Sequence, residues 1–468
     1  MAGILISALA LAPLSQAISI PSLPPKIQGV TTPLIQPLYD LLPALPILQA
    51  PLPPLDSPAF TPSNIKPKKV GYYWVGAGDK EHADFLATYS LDDDTFGTLI
   101  YVTDVPTSGN DPHHIGVSSD GQTIVGGGLL SLLKLQDTAY YFDVSNPYRP
   151  AFKKSNSALL SSIADEIRPK PDGGFFITYM GSALGTSPGR LVETDADFNI
   201  IHEWPEDVEG TLGILAEQFS PHGISIDWDR NYILTSDFVV PLSILKPSTG
   251  VIRAQTLRLW NLESRTIIST ITIPGGSGIQ DVKFIPGNPE GAAIAATVGS
   301  AQLWVIYPGR KDSNGNQGVA ELIYDFGDTI RATNPIASYS DITQDGKYIY
   351  VTLTSANHVA ALDISDLTNP KRLDDPDEVH PIVGPHYIKV TPDQKHIVVT
   401  DYFVQTGEIG IVNVPADFKA QYIDINDDGS ISFNRSINFS QEFENRGGGK
   451  PHSALVFDFT DPEHPLYY

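Results

Sequence analysis

Cysteine is missing from all 468 residues, which excludes disulfides, thiolate metal ligands, redox-active thiol pairs and a cysteine nucleophile in one step. Any metal held by this chain must be held by nitrogen or oxygen. Basic residues are scarce as well. Against 54 Asp and Glu stand only 30 Lys and Arg, a formal charge of -24 with no basic stripe, so the attraction to phosphates that drives nucleic-acid binding is missing. Beyond the first residues no stretch reaches the ~20 apolar residues of a membrane-spanning helix, and no transmembrane segment is expected.

What is abundant points to strands and turns. Gly and Pro number 39 each and 41% of residues are apolar, the composition of a globular, turn-rich chain. Met1 to Ala17 carries an apolar run from Ile4 to Ala12 and ends in Ser15-Gln16-Ala17, a small-x-small site. It reads as a signal peptide despite lacking an early Lys or Arg, and predicts a secreted protein. Two sequons, at Asn434 and Asn438, fit that expectation as glycosylation sites. Residues 18–67 are apolar but studded with proline, as in Leu52-Pro53-Pro54-Leu55, so neither helix nor ladder propagates far. They read as a linker or strap, and residues 68–468 as the folded domain.

That domain repeats itself. Pro112-His113-His114-Ile115-Gly116-Val117-Ser118-Ser119-Asp120-Gly121 aligns without gaps to Pro385 through Gln394, and the frame recurs at Pro221-His222 and Asp165-Glu166. Looser copies start at Gln280, Ser338 and Pro451-His452, seven in all. Each is an alternating strand closed by a tight turn, usually followed by further apolar stretches such as Tyr348 to Val351, His396 to Val399 and Ile409 to Val412. Units of about 45 to 65 residues with about four short strands predict an all-β, seven-bladed propeller. The last copy has only its first strand, so N-terminal strands between Val70 and Val105 are expected to complete that blade and close the ring.

The first strand of each propeller blade lines the central channel, so one repeat position forms a ring. Here it reads His113, Asp165, His222, Gln280, Ser338, His386 and His452: four histidines from a total of 11, each preceded by proline. A lone buried histidine is usually a hydrogen-bonded core residue. Four imidazoles converging on an axis are better satisfied by a shared divalent ion, and His113, His222, His386 and His452 are the expected ligands. Nitrogen ligands suit iron, copper, zinc or nickel rather than calcium or magnesium, and one copper or Fe(II) ion is the leading expectation. Asp165, Glu166, Asp281 and Asp341 are candidates to accept the outer N–H of those imidazoles. Strand alternation turns His114 into the blade, unless a bulge brings it to the channel as an additional ligand. Asp424 to Ile431 resembles half of an EF-hand, but Arg435 stands where calcium needs glutamate, so a hairpin turn at Asp428-Gly429 is expected.

With the blades placed, Asp84 to Thr88, the His113-His114 pair, Leu257 to Thr272, Gln280 to Pro289, Asp341 to Tyr350, Gly384 to Thr400 and the late His452 resemble the selenium-binding protein or methanethiol oxidase family. The resemblance implies a propeller and, for the family's enzymes, copper-dependent oxidation of methanethiol to formaldehyde, hydrogen sulfide and hydrogen peroxide. The family's Cys-x-x-Cys is absent, which argues against thiol-linked selenium. His222 and His386 stand where non-histidine residues are expected, so the ligand pattern is similar to the four-histidine iron centre of carotenoid-cleavage oxygenases. The leading expectation is a secreted metal-dependent oxidoreductase acting with dioxygen on a small or apolar substrate. A four-histidine oxygenase cleaving C=C bonds, a carboxylate- and calcium-based lactonase, and a non-catalytic metal- or ligand-binding propeller are the alternatives.

Overall fold

The computed structural model describes residue 55 and residues 57–468, apart from 245–249, 403 and 405–413. The signal peptide and most of the proline-rich strap expected from sequence lie outside the described residues. Seven antiparallel sheets radiate from one axis. The inner strands run Pro112–Val117 in blade 1, Ser161–Pro169 in blade 2, Pro221–Asp227 in blade 3, Ile279–Phe284 in blade 4, Ser340–Ile342 in blade 5, Ile388–Val390 in blade 6 and Gly449–Asp458 in blade 7. Blade 7 is completed by Lys69–Ala77, Phe85–Ser90 and Leu99–Asp104, ordered outward from the inner strand. Lys69–Ala77 pairs antiparallel with the C-terminal strand from Lys69↔Asp458 to Ala77↔Gly449. Closure by N-terminal strands ties the chain's ends into one sheet and leaves no open edge at the seam.

The repeating turn has a chemical cause. Ser118 Oγ donates to Asp120 at 2.5 Å while Asp120 accepts the Gln122 N–H at 3.0 Å. Thr343 with Asp345 and Thr391 with Asp393 repeat both contacts, at 2.6 Å for each hydroxyl. A carboxylate that locks the backbone two residues on is the turn chemistry aspartate favours, which is why Asp recurs at this point of the frame. Between blades the faces are apolar. Leu303, Val305, Ile349, Val351 and Leu362 join blades 4 and 5, and Trp74 Nε1 of blade 7 donates to the Gly127 carbonyl of blade 1 at 2.7 Å. Gly126 makes that approach possible, since a Cβ there would meet the indole Nε1 at 2.8 Å.

Two outer-strand expectations are settled here. The third strand of blade 6 is Lys419–Ile425, paired to Ile431–Asn438, rather than Ile409 to Val412, which lies outside the described residues. The Asp428-Gly429 stretch is the hairpin turn between those strands, with Gly429 at φ +83°. Asn434 and Asn438 stand exposed on the outermost strand of the same blade.

Candidate metal centre

Irregular ladders give the inner strands their function. In blades 1, 2 and 3 the pairing slips between Pro112 and Ile115, Ala164 and Ile167, and Pro221 and Ile224. Each slip leaves two residues unpaired, the mark of a bulge, and these are His113-His114, Asp165-Glu166 and His222-Gly223. The alternation that would turn His114 into the blade is therefore broken. His114 is fully buried and faces the axis beside His113, with ring centroids 4.6 Å apart. In blade 3 the second bulge residue is glycine because a Cβ would lie 2.7 Å from Ser236 Oγ and 3.0 Å from the Gln280 carbonyl.

Five imidazoles consequently converge. His452 packs against His113, tilted by 40°, at 4.0 Å between centroids and lies 4.6 Å from His386; His222 is 5.2 Å from His114. Donor atoms of His113, His114, Asp165 and His222 come together within 4.8 Å, as do those of His114, His386 and His452, and every one of these residues is buried. Gln280 and Ser338 complete the ring without donating to it directly. Gln280 Nε2 lies 3.5 Å from His222 Nε2 and its carbonyl oxygen accepts the Ser338 N–H at 2.7 Å.

Asp165 is placed differently from the outer role expected of it. Its Oδ1 lies 3.1 Å from His222 Nε2, 3.3 Å from His113 Nε2 and 3.5 Å from His114 Nε2, among the inner nitrogens, because the bulge turns it inward. Donor atoms about 2.0–2.2 Å from a common tetrahedral centre are about 3.3 Å apart, so this spacing matches a coordination polyhedron. Asp281 and Asp341 also differ from expectation: they sit one and three residues beyond the ring positions Gln280 and Ser338 and hold the next blade instead. Asp281 accepts the N–H and hydroxyl of Ser340 at 3.0 and 2.7 Å and pairs with Lys283 at 3.0 Å; Asp341 accepts the Val390 N–H at 2.8 Å. Glu166 alone takes the outer role, 2.9 Å from His114 Nδ1, with Arg168 clamping its other oxygen.

The electrostatics fit a cation. Burial pulls His222 down to about 3, and burial also lowers His113 and His386, so these imidazoles are neutral near pH 7. Burial works to raise Asp165, but the surrounding imidazoles outweigh it and keep the carboxyl below its usual range. A fully buried carboxylate beside the neutral imidazoles of His113 and His222, with the neighbouring Glu166 already neutralised by Arg168, leaves one negative charge for an ion to balance. Asp165 Oδ2, His113 Nδ1 and His222 Nδ1 have no hydrogen-bond partner among the described residues. The donor set therefore could hold a metal ion.

A linkage follows for the metal-free chain. Because the unfolded histidine binds a proton near pH 6.5 and folded His222 does so only at about 3, stability falls as pH drops through that window. Asp84, raised by burial to about 7, acts oppositely: between 3.8 and 7 its folded form holds the proton, so its contribution weakens as pH rises. Denaturant melts of the metal-free His222→Gln variant should show a shallower loss of stability below pH 6 than wild type. Equal slopes would mean that His222 does not carry the effect.

Sequence reading missed how the histidine backbones are held. Thr178 of blade 2 donates its hydroxyl to the His222 carbonyl. Thr352 of blade 5 donates to that of His386 at 2.6 Å, Thr400 of blade 6 to that of His452 at 2.5 Å, and Ser453 of blade 7 to that of His113 at 2.5 Å. Each ring histidine is thus fixed by a buried hydroxyl on the preceding blade. Thr400→Val should cost about 1 kcal/mol in denaturant unfolding and weaken metal retention about tenfold; unchanged retention would reduce these hydroxyls to packing.

The family model for the 56kDa selenium binding protein (SBP56) matches residues 56–380. The chain belongs to the selenium-binding protein family. Among solved structures, a hypothetical selenium-binding protein from Sulfolobus tokodaii is similar at 16% identity and TM-score 0.67, covering 84% of this chain and 94% of that one. A periplasmic gluconolactonase from Pseudomonas aeruginosa is 12% identical with TM-score 0.55, over 83% and 99% of the two chains. A putative 6-phosphogluconolactonase from Bacteroides fragilis is 12% identical with TM-score 0.53, over 85% and 99%. None of the curated proteins matches by sequence. At these identities the structural likenesses speak for the fold, and the function of this family member rests on its own axis.

That axis has two unlike ends. Residues preceding the ring positions, with the loops beside them, form an apolar cap that includes Leu129, Ile163, Met180, Phe238 and Val404. Residues following the ring positions are charged: Glu166, Arg168, Lys283, Asp341 and Lys389, with the Lys283 ammonium 4.5 Å from the Tyr339 ring centre. Tyr339 and Tyr387 pack on His114 from this side, at 5.2 and 5.6 Å.

Proposed function

We propose that this protein is a secreted, metal-dependent oxidoreductase of the methanethiol oxidase type, using dioxygen on a small or apolar substrate. The observation that carries this reading is the fully buried cluster of Asp165 with His113, His114 and His222, whose donor atoms lie within 4.8 Å of one another. His113, His222, His386 and His452 are the proposed ligands, with His114 and Asp165 added by the bulges. When bound, copper or Fe(II) would supply one-electron chemistry toward dioxygen, as a nitrogen-rich site suits either.

The chain's own residues define the rest. Glu166 holds the His114 ring through Nδ1, which fixes which nitrogen faces the axis. The apolar cap makes that side of the site a nonpolar surface, and the hydroxyl clamps fix the ring's radius. Balanced for methanethiol, the reaction takes one molecule each of methanethiol, dioxygen and water to one each of formaldehyde, hydrogen sulfide and hydrogen peroxide. The carbon is oxidised, dioxygen accepts the two electrons, and the C–S bond breaks with sulfur leaving as sulfide.

The test is oxygen uptake by metal-loaded protein with methanethiol, longer alkyl thiols and alkenes, with hydrogen peroxide assayed in parallel. Substrate-dependent uptake that disappears on chelation supports the reading. Metal-loaded protein that consumes no oxygen with any of them would instead favour a metal-binding propeller without catalysis. Recovery of secreted protein beginning near Ile18 would test the leader.

A further inference from the structure

At the apolar end of the axis a cavity touches the proposed metal site. His113 and His222 line it together with Phe238, Val251 and Ile336, and so does one cation, Arg253. In a chain of formal charge -24, a guanidinium among apolar side chains beside a histidine cluster needs a reason. Arg253 is half-buried and makes one side-chain hydrogen bond, from Nη2 to the Pro335 carbonyl at 2.9 Å. Among the described residues no carboxylate pairs with it, although a guanidinium offers five N–H donors in a planar fork. Burial pulls its pKa down, and among the described residues no acidic neighbour opposes the shift. An anion in the cavity would.

A second cavity, of about 280 Å³, adjoins the first: Leu129, Met180 and Ile244 line both. Its other walls include Leu132, Leu133 and Leu184. Leu133 and Leu184 are 40% and 58% exposed, so this chamber reaches the surface at an apolar mouth. Its volume approaches the lower end of small-molecule sites, about 300 Å³, and is far larger than a one-carbon thiol requires.

We infer that the substrate admitted to this site is an elongated apolar molecule bearing one carboxylate, whose tail fills the leucine-lined chamber and whose carboxylate pairs with Arg253 beside the ring. The inference rests on the functional reading above for the word substrate, but the binding site itself stands on the two cavities and the guanidinium. An apolar wall gives affinity without orientation, and a single bidentate ion pair gives orientation. A neutral or cationic molecule of the same length would leave the half-buried Arg253 without a counter-charge.

Calorimetric titration of the full chain with decanoate, decanol and acetate, before and after metal loading, tests this directly. Decanoate should bind at least about tenfold more tightly than decanol, the ratio expected for a charge-assisted hydrogen bond, and acetate should bind weakly. Arg253→Gln should lower decanoate affinity about tenfold to hundredfold, leave decanol unchanged and leave metal content unchanged; Arg253→Lys should recover part of the loss. Met180→Trp, which narrows the shared wall, should weaken decanoate and decanol alike. Equal affinities for decanoate and decanol in the wild type would overturn the inference without any variant, as would an Arg253→Gln protein that binds decanoate normally. Discrimination by a chain that takes up no metal would sustain the binding site and sink the redox reading. Stoichiometric metal without discrimination would do the reverse.

Discussion

His386→Ala is expected to abolish metal retention while leaving the propeller folded, from about one ion per chain to nearly none on elemental analysis after gel filtration. The separation of the two effects follows from the local structure. His386 precedes the short inner strand Ile388–Val390, and its backbone is held on both sides: its N–H donates to the Thr400 carbonyl at 2.8 Å and its carbonyl accepts from Thr352. Alanine keeps both bonds. What is lost is the imidazole, which packs 4.6 Å from His452 and shares a donor cluster with His114. Outer partners of metal ligands already cost about 10–100-fold in affinity when removed, so a ligand itself should cost more. The cavity left behind costs about 2–5 kcal/mol, spread over a molecule whose blades are tied by their own apolar faces. Unchanged far-UV circular dichroism with lost metal is the expected pair of results; retained metal would remove His386 from the site.

Asp165→Asn should be the most informative isosteric change. It keeps the shape of a side chain that is fully buried and removes the charge that makes the centre a cation site. Metal-free stability near neutral pH should change little, because the His113 and His222 imidazoles beside it are neutral. The stabilisation by metal should fall away. In the wild type an ion present at 100 times its dissociation constant adds about 2.7 kcal/mol to folding. If the variant's affinity drops about a hundredfold, that addition shrinks to about 0.4 kcal/mol. Denaturant midpoints with and without copper or Fe(II) read the difference directly. A metal-induced shift as large in Asp165→Asn as in wild type would mean that the carboxylate only accepts N–H bonds from His113 and His222.

Much of this was legible in the chain itself, and the reasons are particular. The frame beginning at Pro112 repeats because each blade needs the same inner strand and the same aspartate-locked turn, so alignment found the blades and the ring position together. The short C-terminal copy at His452 announced closure because an unfinished blade exposes an edge. For His114 the bulge held open as the alternative is what forms, and Asp165 was misplaced for the same reason: alternation is a property of a regular ladder, and bulges at both positions break it. No residue type marks those bulges in advance, except Gly223, whose crowded site admits no side chain. Asp281 and Asp341 were misread because, one and three residues beyond their ring positions, both carboxylates reach the next blade instead of the axis. The hydroxyls of Thr178, Thr352, Thr400 and Ser453 were invisible for a different reason. Each acts on the neighbouring blade, and interblade register leaves no local pattern. Arg253 likewise gains its meaning only from the cavity around it.

The most direct measurement is elemental analysis of the purified full chain, wild type beside Asp165→Asn, after exposure to copper or Fe(II) and removal of loosely held ions. The account predicts about one transition-metal ion per wild-type chain and substantially less in the variant. Wild-type protein that retains no transition metal, or that holds calcium instead, would contradict it.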